Sequence, residues 1–92
     1  MAKITVELFG IPRRRAGTGR VTIESDAEKV SFEDVMGILA GRFPALAETC
    51  FDGRKLRAGY LASVGGQRFL ADPHAWLCGG DTLLILSAEA GG

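Results

Sequence analysis

With 92 residues, 47% of them apolar and 24% charged, and with acids and bases in balance, the chain has the makeup of one globular domain around one modest core. That makeup excludes a disordered polar tail, and the lack of excess base argues against a nucleic-acid partner. No apolar run approaches the length of a membrane-spanning helix, so no membrane partner is expected.

Met1-Ala2-Lys3 leads directly into a strand-like segment rather than a leader peptide, which points to the cytoplasm. Ile4, Val6 and Leu8 alternate with Thr5 and Glu7, the two-residue period of a strand with one face on a core. After a turn-rich stretch from Gly10 to Gly19, Val21 and Ile23 alternate with Arg20, Thr22 and Glu24. The two runs are expected to pair as an antiparallel hairpin with a long, basic loop. Within that loop Arg13, Arg14 and Arg15 form a cluster suited either to an acidic partner or a phosphate, or simply to a solvated loop.

Ser31 stands where a helix N-cap belongs, with Glu33 and Asp34 in the first turn to complement the exposed amides and the positive helix end. Phe32, Val35, Met36, Leu39 and Phe43 then recur at three- and four-residue steps, with Ile38 widening the stripe. Pro44 is expected to end this helix, because proline pushes the preceding residue out of helical geometry. Beyond a polar link at Asp52-Gly53, the runs Tyr60 to Val64 and Gln67 to Leu70 flank Gly65-Gly66, a pair able to adopt the positive φ of a tight hairpin. Asp72-Pro73 and Gly79-Gly80-Asp81 mark turns before a final strand from Thr82 to Leu86, and Trp76 is expected to fill a core edge.

The order strand, strand, helix, strand, strand, strand predicts an α+β domain in which a sheet carries one main helix on one face. In the last strand Leu83 and Ile85 form one apolar row and Leu84 and Leu86 a second, on opposite faces. If the first row meets the helix, Leu84, Leu86 and Phe9 lie on the uncovered face. Such a face serves either as a partner surface or as a central strand shielded by loops. Cys50 and Cys78 are far apart and have no second pair or His at ligand spacing, so neither a zinc site nor a redox motif is predicted. His74 likewise has no partners around it in sequence and is expected at the surface. No metal site is expected.

The domain is expected to span residues 1–86, and residues 87–92 to form a flexible tail, Ser87-Ala88-Glu89-Ala90-Gly91-Gly92. Six extended residues reach on the order of 20 Å, enough to carry a terminal carboxylate into a pocket on another protein. Glycines without Cβ atoms pass a narrow channel and leave the carbonyl open to attack. A carboxylate is a poor electrophile, so any transfer onto its acyl carbon needs prior activation, for instance adenylation by ATP.

Read together, Leu8-Phe9-Gly10 through Arg13 to Ala16-Gly17, Arg42-Phe43-Pro44-Ala45-Leu46, Val64-Gly65-Gly66, Gly80-Asp81-Thr82-Leu83 and the closing Gly91-Gly92 resemble the MoaD/ThiS family of ubiquitin-like sulfur carriers, and within it the small subunits of molybdopterin synthase. The resemblance implies a β-grasp fold with a mixed sheet of four to five strands. It further implies a carrier that is not itself an enzyme, whose Gly92, supported by Gly91, is adenylated and converted to a thiocarboxylate. No bound cofactor is implied, since ATP is used by the activating enzyme. The implied partners are a ubiquitin-activating-type adenylyltransferase, a sulfurtransferase and the MoaE-like large catalytic subunit of molybdopterin synthase, met through Phe9, Arg13, Leu84, Leu86 and Ala90. Delivery of sulfur to thiamine, cysteine or tRNA, conjugation to proteins through Gly92, and an inert tail on an interaction domain are the alternatives. The chain departs from the family pattern at Arg14 and Arg15, where a Glu and an apolar residue are common, at Ser87-Ala88 in place of Pro-Pro, and at Glu89 in place of an apolar residue.

Overall fold

The first strand, β1 (Ala2–Leu8), buries alternate residues as its sequence period dictates, and β2 (Arg20–Ser25) pairs with it antiparallel, with Ile4 opposite Ile23 and Val6 opposite Val21. The computed structural model of the chain describes residues 1–88. Between these strands the expected long loop is instead a short helix, α1 (Ile11–Ala16). Pro12 sits in its first turn, where a missing N–H costs nothing, and Arg13, Arg14 and Arg15 fill its last turn against the negative helix end. Gly17 closes α1 in the left-handed conformation at φ 78°, its N–H donating to the Arg13 carbonyl at 2.9 Å.

The expected main helix is α2 (Phe32–Arg42), which follows the short strand β3 (Lys29–Ser31). Ser31 caps it, Oγ accepting from the Asp34 N–H at 3.1 Å. Phe32, Val35, Met36 and Leu39 are buried on its inner side. Pro44 does end this helix, but it also begins another, α3 (Pro44–Cys50). Phe43, held at φ −130° and ψ 79°, is the hinge between them. Helix α3 seals Leu46 and Cys50 into the core and runs into a minimal hairpin, β4 (Phe51–Asp52) with β5 (Lys55–Leu56).

Strands β6 (Tyr60–Val64) and β7 (Arg68–Leu70) form the expected glycine hairpin, with Gly65 at φ 63° and Gly66 at φ 74°. Strand β8 (Trp76–Cys78) pairs with β3, and β9 (Thr82–Ser87) runs one residue further than expected. The main sheet has the order β2-β1-β9-β6-β7, with β1 and β9 parallel and every other pair antiparallel. Its inner face, carrying Ile4, Val6, Leu8, Ile23, Ala62, Leu83 and Ile85, shares one core with Val35, Met36 and Leu39 of α2.

Trp76 does not fill the core edge. Strand alternation on β8 turns Leu77 inward and leaves Trp76 52% exposed, with the Lys29 ammonium 4.8 Å from its ring centroid. Among the described residues no helix is long and apolar enough to cross a membrane.

Candidate functional site

The sheet face opposite α2 carries the second apolar row of β9. Leu83 and Ile85 are completely buried, whereas Leu84 and Leu86 point the other way and are half-buried. Strand pairing then decides what stands beside them. Leu8 is in register with Ile85, and the Phe9 N–H donates to the Ile85 carbonyl at 3.0 Å, which sets Phe9 alongside Leu86. On the other flank Leu61 is opposite Leu86, and Ser63 is opposite both Leu84 on β9 and Phe69 on β7.

The outcome is an apolar strip over β9, β6 and β7 and the residue just past β1, made of Phe9, Leu86, Leu61, Leu84 and Phe69, with Ser63 between the last two. Phe9 is 42%, Leu61 39% and Phe69 68% exposed. Strand β9 is indeed central, so its half-burial comes from neighbouring strands rather than from loops, and the flanking residues stay open to solvent. Covering such side chains returns roughly 25 cal/mol per Å² of apolar surface, and an exposed strip of this kind is suited to a partner. The strip borders a charged pair on one side, Arg20 Nη2 to Glu7 Oε2 at 2.8 Å. Leu61 and Phe69 were not among the expected site residues. Each alternates correctly within its own run, but their common face follows only from the pairing of β6 with β9 and β7.

The strip adjoins the point where the chain leaves the sheet. Ser87 is buried opposite Tyr60, and the Ala88 N–H donates to the Gly59 carbonyl at 2.6 Å. Gly91, Gly92 and Ala90, and the tail expected to carry them, lie outside the described residues. Arg13 is exposed on α1, with its guanidinium lying so close over Gly19 that a Cβ there would meet Nε at 3.2 Å.

Among the described residues the remaining reactive groups form no catalytic constellation. Cys50 is a buried free thiol, and burial pushes its pKa up from 9.0 against the opposing pull of a Tyr60 hydrogen bond and the charges of Arg15 and Arg57. Cys78 is free and exposed. His74 is exposed, its backbone N–H donating to Asp72 Oδ1 at 2.8 Å. Among the described residues no three His, Cys, Asp or Glu side chains converge as a metal site.

Neither the models of protein families nor the curated proteins include a match to this chain. Solved structures do match along nearly their full length. Small archaeal modifier protein 1 from Methanosarcina acetivorans is 27% identical, with a TM-score of 0.76 over 100% of this chain and 98% of that one. A putative molybdopterin converting factor, subunit 1, from Pyrococcus furiosus is 22% identical, with a TM-score of 0.74 over 95% of this chain and 98% of that one. A chain of the BexX/CysO complex from Amycolatopsis orientalis is 23% identical, with a TM-score of 0.70 over 97% and 99%. The parallel β1–β9 centre, the helix α2 across one face and these likenesses together identify the β-grasp fold.

Proposed function

We propose that the chain is a cytoplasmic sulfur carrier whose reactive group is the carboxylate of Gly92. A ubiquitin-activating-type enzyme joins that carboxylate to AMP from ATP, releasing pyrophosphate. The persulfide of a sulfurtransferase attacks the acyl carbon and expels AMP, and a thiol then cleaves the resulting S–S bond to leave the thiocarboxylate. The carrier supplies the acyl group and no catalytic side chain.

The observation that carries this reading is the position of the apolar strip. Leu84 and Leu86 lie on β9, the strand that ends at Ser87, so a partner seated on the strip stands next to that strand end. The destination we propose is molybdopterin, on a MoaE-like large subunit docked over Phe9, Leu61, Leu84 and Leu86, with Arg13 and Ala90 as further contacts. Similarity to a putative molybdopterin converting factor subunit supports it. Similarity to a small archaeal modifier protein supports a second use of the same activated end, conjugation to lysines.

Incubation with ATP, the activating enzyme and a sulfur source is expected to add about 16 Da, the exchange of oxygen for sulfur at an activated acyl group. Deletion of Gly92 is expected to abolish that gain, and sulfur uptake by the deleted chain would remove the carrier reading. Isopeptide-linked ladders in cells that vanish with the same deletion would establish the modifier use.

A further inference from the structure

The chain leaves the sheet between two unlike surfaces. On one side is the apolar strip. On the other, Ile11, Arg14, Arg15, Thr49 and Tyr60 line an open groove of about 400 Å³ between α1, α3 and the start of β6. Tyr60 belongs to both the groove and the exit, since it is the cross-strand partner of Ser87 and follows Gly59, whose carbonyl holds the Ala88 N–H.

Among the described residues that line the groove two are arginines and none is acidic. Arg20 pairs with Glu7, and Arg54 with Glu33 and Asp34, but among the described residues Arg13, Arg14 and Arg15 make no ion pair. Arg57 lines a separate groove on the far side of Tyr60, its Nη2 donating to the Glu48 carbonyl at 3.2 Å. Unpaired guanidinium groups are rigid forks that match carboxylates bidentately. Phosphate is the other anion that such forks bind bidentately, and the titration below distinguishes the two.

Resting on the carrier reading above, we propose that this groove docks an acidic segment of the enzyme that activates the tail. On the carrier reading the reactive carboxylate belongs to Gly92, four positions beyond Ala88, and four fully extended residues span at most about 14 Å. An enzyme that encloses the terminal carboxylate therefore closes against the exit, with the apolar strip on one side and the arginines on the other. Complementary charge there sets register and speeds encounter, so its loss acts on binding rather than on the adenylation step.

The test begins with amide NMR spectra of the full chain titrated with a hexaglutamate peptide. Shifts are expected to centre on Ile11, Arg14, Arg15, Thr49 and Tyr60 and to collapse in about 0.5 M NaCl. The variant Arg14→Gln/Arg15→Gln, shown to be folded by its dispersed spectrum, is expected to bind at least about tenfold more weakly. Shifts scattered elsewhere, or equal affinity in the variant, overturn the proposal. So does a stronger response of the same amides to inorganic phosphate or AMP. With the activating enzyme, the variant is expected to raise KM for the carrier about tenfold at unchanged kcat, and an unchanged KM overturns the proposal. Failure of the wild-type chain to be activated at all would count against the carrier reading, and the peptide titration would still decide the groove.

Discussion

Cys50 and Cys78 show how far environment separates two copies of one residue. Cys78 is exposed at the end of a surface strand, whereas Cys50 is sealed under α3 and its thiol pKa is raised by burial. The raised value means that the folded state holds the thiol proton more tightly than the unfolded chain. The associated stability is present below the ordinary thiol value of 9.0 and is lost as pH rises through the folded value. Chemical denaturation of the wild type is therefore expected to weaken above about pH 9 more steeply than that of Cys50→Ala. Iodoacetamide at about pH 8 is expected to modify Cys78 at least about tenfold faster than Cys50, and equal rates would show that the α3 seal is not closed. Trp76 carries a related lesson, for its size suggested packing but its parity on β8 set it outside, against Lys29.

Among the elements, the Gly65-Gly66 hairpin was legible because two consecutive residues at positive φ leave few alternatives to a tight turn. Replacing Gly66 by Ala is expected to cost about 1–2 kcal/mol, the penalty of a Cβ in left-handed backbone, measurable as a lower urea midpoint. The same substitution loosens the strand that carries Phe69. The helix α2 was equally legible, from its cap at Ser31 and its apolar stripe. Helices α1 and α3 were not, since six and seven residues are too few to display a helical period. Pro44 ends α2 as its sequence suggests, but proline is also well suited to a helix's first turn, and Pro12 and Pro44 each stand in one.

For the molecule as a whole, adjacent residues on β9 are expected to behave in opposite ways. Leu83→Asp drives a carboxylate into the fully buried face and costs several kcal/mol, comparable with the 5–15 kcal/mol that holds a typical domain together. It is expected to unfold or nearly unfold the chain by circular dichroism. Leu84→Asp lies on the half-buried outer face and is expected to leave the domain folded while abolishing co-purification with the large subunit. Exchange of these two phenotypes would mean that the register of β9 is off by one residue. Local pattern alone determined the two hairpins, the main helix, the opposed apolar rows of the last strand and the diglycine end, because each is written within a few consecutive residues. Tertiary structure decided the rest: the parallel pairing of β1 with β9, the union of Phe9, Leu61, Leu84, Leu86 and Phe69 into one strip, and the meeting of Arg14 and Arg15 with Tyr60 at the exit. These depend on which distant segments pair and in what register, and the periodicity of one segment does not specify its neighbour.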